Sequence, residues 1–229
     1  MIKAATTAIM ALMLATTPTM AQDAHQWDGL LRVKSKHIDA VYLLPQADFR
    51  SYTKVMIDPT EVAFRKNWRR DLNNDTLDMQ NRISDADARK ILDEAKSGFD
   101  KIMREAYEKA GYQIVTTPGP DVLRIATAIV NLDVEAPDTM SPGISRTYSK
   151  EAGEATLVIE VRDSLSGAVL GRAADADSTG DFGPYLRNSA TNFSEFEELF
   201  RRWAKLSAAG LGELKALSPI DTSGKLAKH

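Results

Sequence analysis

From Ala88 to Ala110 the apolar residues return every three or four positions: Ala88, Ile91, Leu92, Ala95, Phe99, Ile102, Met103, Ala106 and Ala110. That spacing places them on one stripe of an α-helix. Ser84 stands at the N-cap position, and Asp85 and Asp87 put negative charge against the positive end of the helix dipole. Gly111 suits the residue just past the C-cap, where a left-handed backbone is usual. Lys90 with Glu94, and Arg104 with Glu108, fall on the outward side at i,i+4. The pattern predicts a helix of about 26 residues, roughly 39 Å long. A second broad stripe carries Phe196, Leu199, Phe200, Trp203, Ala204, Leu206 and Leu211. Ser194 and Glu197 read as its capping box, and Gly210 and Gly212 weaken its end.

Elsewhere the period changes from helical to extended. Thr53–Ile57 is a short β-prone run closed by Asp58-Pro59, and Val62–Phe64 reads as a second short strand. Tyr112–Thr116 is a strand closed by Pro118-Gly119-Pro120. Val122–Val134 is apolar and β-branched on both alternating sets, as in a central strand covered on both faces. Ala155, Leu157, Ile159 and Val161 alternate with Glu154, Thr156, Glu160 and Arg162, the signature of a half-buried strand. Asp163–Gly167 is a hairpin connection returning through Ala168–Ala174. Residues 22–52 read as an irregular N-terminal arm, with Ala40–Leu44 stopped by Pro45. Residues 65–83 read as a polar loop, and 135–152 and 175–193 as two long loops flanking the same hairpin.

The order strand, long helix, several strands, helix predicts an α+β fold. Its expected form is a mostly antiparallel sheet of about four to five strands with two amphipathic helices packed on one face. Residues 22–217 are expected to form one domain, and the polar segment 218–229 a disordered tail. No internal repeat is present.

The first residues change the picture. Met1-Ile2-Lys3 is a short basic start, Ala4–Thr17 is an apolar small-residue run, and Thr19-Met20-Ala21 places small residues at −3 and −1 of a signal-peptidase site. This predicts a signal peptide over 1–21, cleavage between Ala21 and Gln22, and a periplasmic or secreted protein. The alternative, an uncleaved anchor helix, is opposed by Thr6, Thr7, Thr16, Thr17 and Pro18, which dilute the run. No second apolar run approaches the ~18 residues that span a membrane.

Composition then removes several classes. The 229-residue chain has 29 Lys and Arg against 32 Asp and Glu, a formal charge of −3, which argues against nucleic-acid binding and against a broad polybasic surface. There is no cysteine, so no disulfide framework, thiolate nucleophile, Cys-ligated metal or lipid-bearing Cys is expected. The three histidines are His25, His37 and His229, and neither a G-x-S-x-G nor an H-E-x-x-H motif occurs.

Three stretches carry candidate chemistry. Asp175, Asp177 and Asp181, with Gly180, match the opening of an EF-hand loop, but position 12 is Leu186 where a bidentate carboxylate belongs. The plain reading is an acidic solvated loop. Phe64–Arg70 sets four cations (Arg65, Lys66, Arg69, Arg70) around Phe64 and Trp68, either a docking patch for an anionic surface or a loop anchored by its aromatics with its cations paired by Glu61 and Asp71. The loops 135–152 and 175–193 bring Tyr148, Phe182 and Tyr185 among glycines and prolines, and loops of this length are often functional.

With these pieces placed, the chain resembles the DUF3313 family of bacterial cell-envelope proteins, many of them lipoproteins. The resemblance is carried by Tyr52–Val62 with its Asp58-Pro59-Thr60-Glu61 core, by Glu151–Thr156, by Asp163–Leu170, and by the Trp203-Ala204 pair. It implies an envelope location and supplies no catalytic residues. Many relatives carry a lipobox Cys that this chain lacks, so no lipid anchor is expected.

The expectation is therefore an exported, non-catalytic module that binds an envelope protein, without nucleic acid or transmembrane segment. No catalytic, cofactor-binding or metal-binding residue is assigned. Two alternatives stay open: a small-ligand or metal-binding protein using loops 135–152 and 175–193, and a hydrolase using carboxylates such as Asp133, Glu135 or Asp138 as general acid and base.

Overall fold

A computed structural model describes residues 26–75, 82–134, 147–149, 153–179, 185–187 and 189–222. In chain order the strands and helices are β1 (Gln26–Trp27), β2 (Leu30–Val33), β3 (Ala40–Leu43), β4 (Lys54–Ile57), β5 (Glu61–Phe64), α1 (Trp68–Asp75) and α2 (Asp85–Lys109). They continue as β6 (Gln113–Ile114), β7 (Val122–Val134), β8 (Thr147–Ser149), β9 (Gly153–Asp163), β10 (Val169–Thr179), β11 (Tyr185–Arg187) and α3 (Ser189–Leu217).

The α2 helix forms where its stripe requires. Ser84 caps it: its hydroxyl accepts from the Asp87 N–H, and the Asp87 carboxylate accepts from the Ser84 N–H, so two orphan donors are satisfied reciprocally. Hydrogen bonds from the Ser84 hydroxyl and then the Ser84 N–H hold the Asp87 carboxyl below its ordinary range. Gly111 takes the left-handed φ of 89° that ends the helix. Phe99, Ile102, Met103 and Tyr107 are buried along the stripe.

Val122–Val134 is the central strand. β7 pairs antiparallel with β9 along one edge, and on the other edge it pairs parallel with β4 and then with β5. The whole sheet has nine strands, in the order β1-β2-β3-β10-β9-β7-β4-β6 with β5 beside β7. The α+β class holds, but the sheet is mixed and nearly twice as wide as the four to five antiparallel strands expected. Two physical reasons account for the difference. Parallel neighbours need a long crossover, and the segment carrying α2 supplies one between β5 and β7. The arm before Pro45 is also ordered: β2 and β3 form an antiparallel pair docked on β10.

The Asp58-Pro59-Thr60 segment breaks what would otherwise be one long strand beside β7. The Asp58 N–H still donates to the Ile125 carbonyl. The Thr60 N–H turns away and donates to Asp100 of α2 at 2.9 Å, while the Thr60 hydroxyl lies 2.7 Å from that of Thr127. Both threonines are buried, and this pairing satisfies them in the core.

Three other expectations are corrected. Residues 68–75, read as loop, form α1; its sequence is almost wholly polar, and Trp68 supplies its anchor to the core. The return strand of the hairpin runs to Thr179, beyond the expected Ala174, because Asp175 and Asp177 find donors on α3. The α3 helix begins at Ser189, so Ser194 and Glu197 lie inside it, and it continues through Gly210 and Gly212 to Leu217. Burial of Ala208 and Leu211 offsets the roughly 1 kcal/mol cost of each helical glycine. Beyond α3, Ile220 is fully buried and pairs its backbone with Gln46 and Ala47.

The core lies between the sheet and α2 with α3. Phe99 meets Phe200 edge-on at 5.1 Å, and the buried Tyr107 hydroxyl lies 2.7 Å from Ser207 across the two helices. Burial pushes the Tyr107 phenol well above its ordinary range. Phe99→Ala is expected to cost about 3–5 kcal/mol of stability by cavity formation, whereas Leu165→Ala, at a hairpin tip that is 62% exposed, is expected to stay within about 0.5 kcal/mol; urea unfolding of the two variants measures both.

Candidate functional site

Each stretch singled out for its chemistry has a defined place. In Phe64–Arg70 the aromatics anchor the segment. Trp68 is 2% exposed, stacks on Phe64 at 3.8 Å, and donates its indole N–H to the Val134 carbonyl at 3.1 Å. The three arginines are paired, though only in part by the expected residues. Arg65 bridges Asp71 and Asp133, Arg70 pairs with Asp71, and Arg69 pairs with Asp85. Hydrogen bonds from Arg65 and Arg70 hold the Asp71 carboxyl below its ordinary range. Glu61 is exposed on β5, in register with Ala128 of β7. Sequence distance hid Asp133, whose partner lies 68 residues away.

Asp133, a proposed general acid or base, is thus an ion-pair partner of Arg65. Glu135, Asp138, Phe182, Asp181, His25 and His229 lie outside the described residues. The backbone of Tyr148 and Tyr185 is described: β8 and β11 pair antiparallel, with Leu186 opposite Tyr148. The two long loops therefore meet, as their flanking of one hairpin suggests. His37 is exposed in the turn between β2 and β3.

The acidic run is not a loop over Asp175 and Asp177. Both are on β10 and face α3. Asp175 accepts from the Trp203 indole N–H at 2.8 Å and from the Asp39 N–H at 3.0 Å, and Asp39 in turn accepts from the Ala176 N–H at 3.1 Å. Asp177 pairs with Arg202 and accepts from the Ser178 N–H. An extended strand cannot curl these oxygens around one cation as an EF-hand loop does. Among the described residues no group of three or more His, Asp or Glu side chains comes together as a metal site.

On the opposite face of the sheet, Glu160 sits between Arg162 at 2.5 Å and Arg172 at 2.7 Å, and Arg172 also reaches Asp28 and lies over the Trp27 ring at 4.6 Å. Burial raises the Glu160 carboxyl, but the bonds from Arg172 and Arg162 outweigh it, and the net effect is a lowered pKa.

One concave feature among the described residues is apolar. Ile38, Leu157, Ile159, Ala173, Trp203 and Leu206 line a shallow recess between α3 and the β3–β10 edge, with Asp175 at its side. It takes in about 220 Å³, a figure that includes space open to solvent. Leu206 belongs to the stripe read from the sequence; Ile38 carried no signal, because only the β2–β3 turn brings it to α3.

The chain belongs to the DUF3313 family, proteins of unknown function, whose profile matches residues 20–207. Among curated proteins no sequence matches. Solved structures with similar folds include a DUF330-family protein from Xanthomonas campestris, at 10% identity and a TM-score of 0.43, covering 76% of this chain and 91% of that one. A PelC dodecamer from Paraburkholderia phytofirmans matches at 10% identity and 0.33, covering 71% and 95%. A minor lipoprotein from Acinetobacter baumannii matches at 9% and 0.30, covering 69% and 94%. These distant likenesses assign no activity to this chain.

The Glu160 cluster has a consequence for pH. A carboxyl lowered in the folded state contributes stability that is fully present above its unfolded value of 4.5 and is lost as pH falls through the folded value. Thermal melts from pH 7 to pH 3 are expected to fall steeply below about 4.5 for the natural chain and less steeply for Glu160→Gln; equal slopes would show that the cluster contributes nothing.

Proposed function

We propose that this protein is exported by its N-terminal leader, acts in the periplasm, and serves as a non-catalytic module that binds another envelope protein. The observation that carries this reading is the use made of the ionisable groups. The described carboxylates that sequence alone offers for chemistry, Asp133, Asp175 and Asp177, are each held in structural contacts. The recess beside α3 is shallow and apolar, which suits a protein contact better than a substrate. The leader-like pattern of Met1–Ala21 supports export. No helix among the described residues is long and apolar enough to cross a membrane.

Expression of a C-terminally tagged chain in a Gram-negative host, followed by osmotic shock and N-terminal sequencing, is expected to return a periplasmic protein beginning at Gln22. A protein retaining Met1 in the cytoplasm would overturn export. In-cell crosslinking with mass spectrometry is expected to capture one dominant envelope protein; a clean monomer under saturating crosslinking would overturn the interaction role.

A further inference from the structure

Among the described residues two large hydrophobic side chains stand out in solvent, Leu165 at 62% and Leu217 at 51% exposure. Both fall at one end of the molecule. Leu165 is at the tip of the β9–β10 hairpin, and Leu217 ends α3. Tyr52 joins the two places: its hydroxyl donates to Asp163 at 3.0 Å, and its carbonyl accepts from Lys215 at 2.9 Å. Exposed Pro118, Pro120, Ala168 and Pro219 belong to the same three segments, 116–120, 164–168 and 216–220, and none of these segments holds a charged residue.

The hairpin turn supplies its own hydrogen bonds. The Asp163 carboxylate accepts from the N–H groups of Leu165 and Ser166 and from the Ser166 hydroxyl, at 3.2, 2.7 and 2.7 Å. The N–H groups of Ser164 and Gly167 donate to the carbonyls of Val122 and Asp163, and that of Ala168 to the Ser166 hydroxyl. The Ser164 hydroxyl donates to the Gly119 carbonyl and accepts from the Gly119 N–H. A turn facing water needs no such partners, because water provides them. A turn that gives up its water does, since each N–H left bare in apolar surroundings is costly.

Charge plays no part in this surface. Around it Arg50 pairs with Asp48, Lys54 with Asp121, Arg124 with Asp58, Arg162 with Glu160 and Lys109 with Glu105. Lys215 is balanced by Asp163, and Glu108 and Asp221 add further carboxylates at this end. With no cationic excess, adhesion there is apolar.

We propose that this end of the molecule docks on a lipid bilayer, with Leu165 and Leu217 entering the boundary between headgroups and acyl chains. Protruding apolar side chains on self-satisfied backbone are what that boundary receives. The docking is independent of the protein-partner reading above and adds a second contact to it.

The test uses the processed chain beginning at Gln22, so that the apolar leader adds nothing; if the chain keeps Met1, the same variants are compared in the full chain, where the leader is common to all. Co-sedimentation is expected to show binding to vesicles of phosphatidylcholine alone, no stronger binding to equal phosphatidylcholine and phosphatidylglycerol, and no loss in about 1 M NaCl, where charges act only within about 3 Å. Leu165→Ser is expected to weaken binding about tenfold and Leu165→Ser with Leu217→Ser to abolish it, with melts unchanged because both side chains are exposed. The chain has no cysteine, so Leu165→Cys offers one site for an environment-sensitive fluorophore. Its emission is expected to shift to the blue on vesicles, while the same label on Ser97→Cys, exposed on α2, does not shift.

Absence of binding, binding that salt removes, or binding kept by the double variant would overturn the proposal. A blue shift at both labels would do so too, since the bilayer would then touch another face. So would a dimer in sedimentation velocity that Leu165→Ser dissolves, or a crosslinked protein partner lost with Leu165→Ser, because a second copy or that partner would then cover this end.

Discussion

Strand β7 is the element on which the rest of the structure depends. Its thirteen residues pair along one edge with β9 and along the other with β4 and β5, and Leu123, Ile125, Ile129 and Leu132 are buried on it. Each neighbour then places something else. β9 carries β10, β10 carries β3 and β2, and the crossover from β5 to β7 lays α2 across the sheet. The Asp58-Pro59-Thr60 break lets two short strands share one edge of β7 while Thr60 ties that edge to Asp100 of α2. Gly153 at the start of β9 marks how closely the two strands approach there: a Cβ on it would stand 1.7 Å from the Asp133 carbonyl oxygen.

Polar chemistry in this protein serves the frame. Asp39, Asp175 and Trp203 fasten the β2–β3 turn and α3 to β10, and Arg65 with Asp71 and Asp133 closes the other end of the sheet around Trp68. These groups satisfy buried or half-buried partners.

Much of the fold was legible in the sequence. The α2 stripe, its Ser84 cap and the Gly111 stop all follow from local periodicity and capping chemistry. So do the central β7, the β9–β10 hairpin and the family resemblance through Asp58-Pro59-Thr60-Glu61. The partners of Arg65 and Arg69 were not: salt bridges to Asp133 and Asp85 join residues with no sequence relation. Helix α1 was hidden for a related reason, since its polar sequence is held in place by one tryptophan.

The sequence by itself determined which segments are helical or extended and which faces turn inward, because periodicity and capping are local properties. Only the tertiary structure decided that β4 and β5 run parallel to β7, that β10 continues through two aspartates, and that Ile38 meets Leu206. Those outcomes rest on contacts between residues far apart in the chain, whose energies no local pattern records.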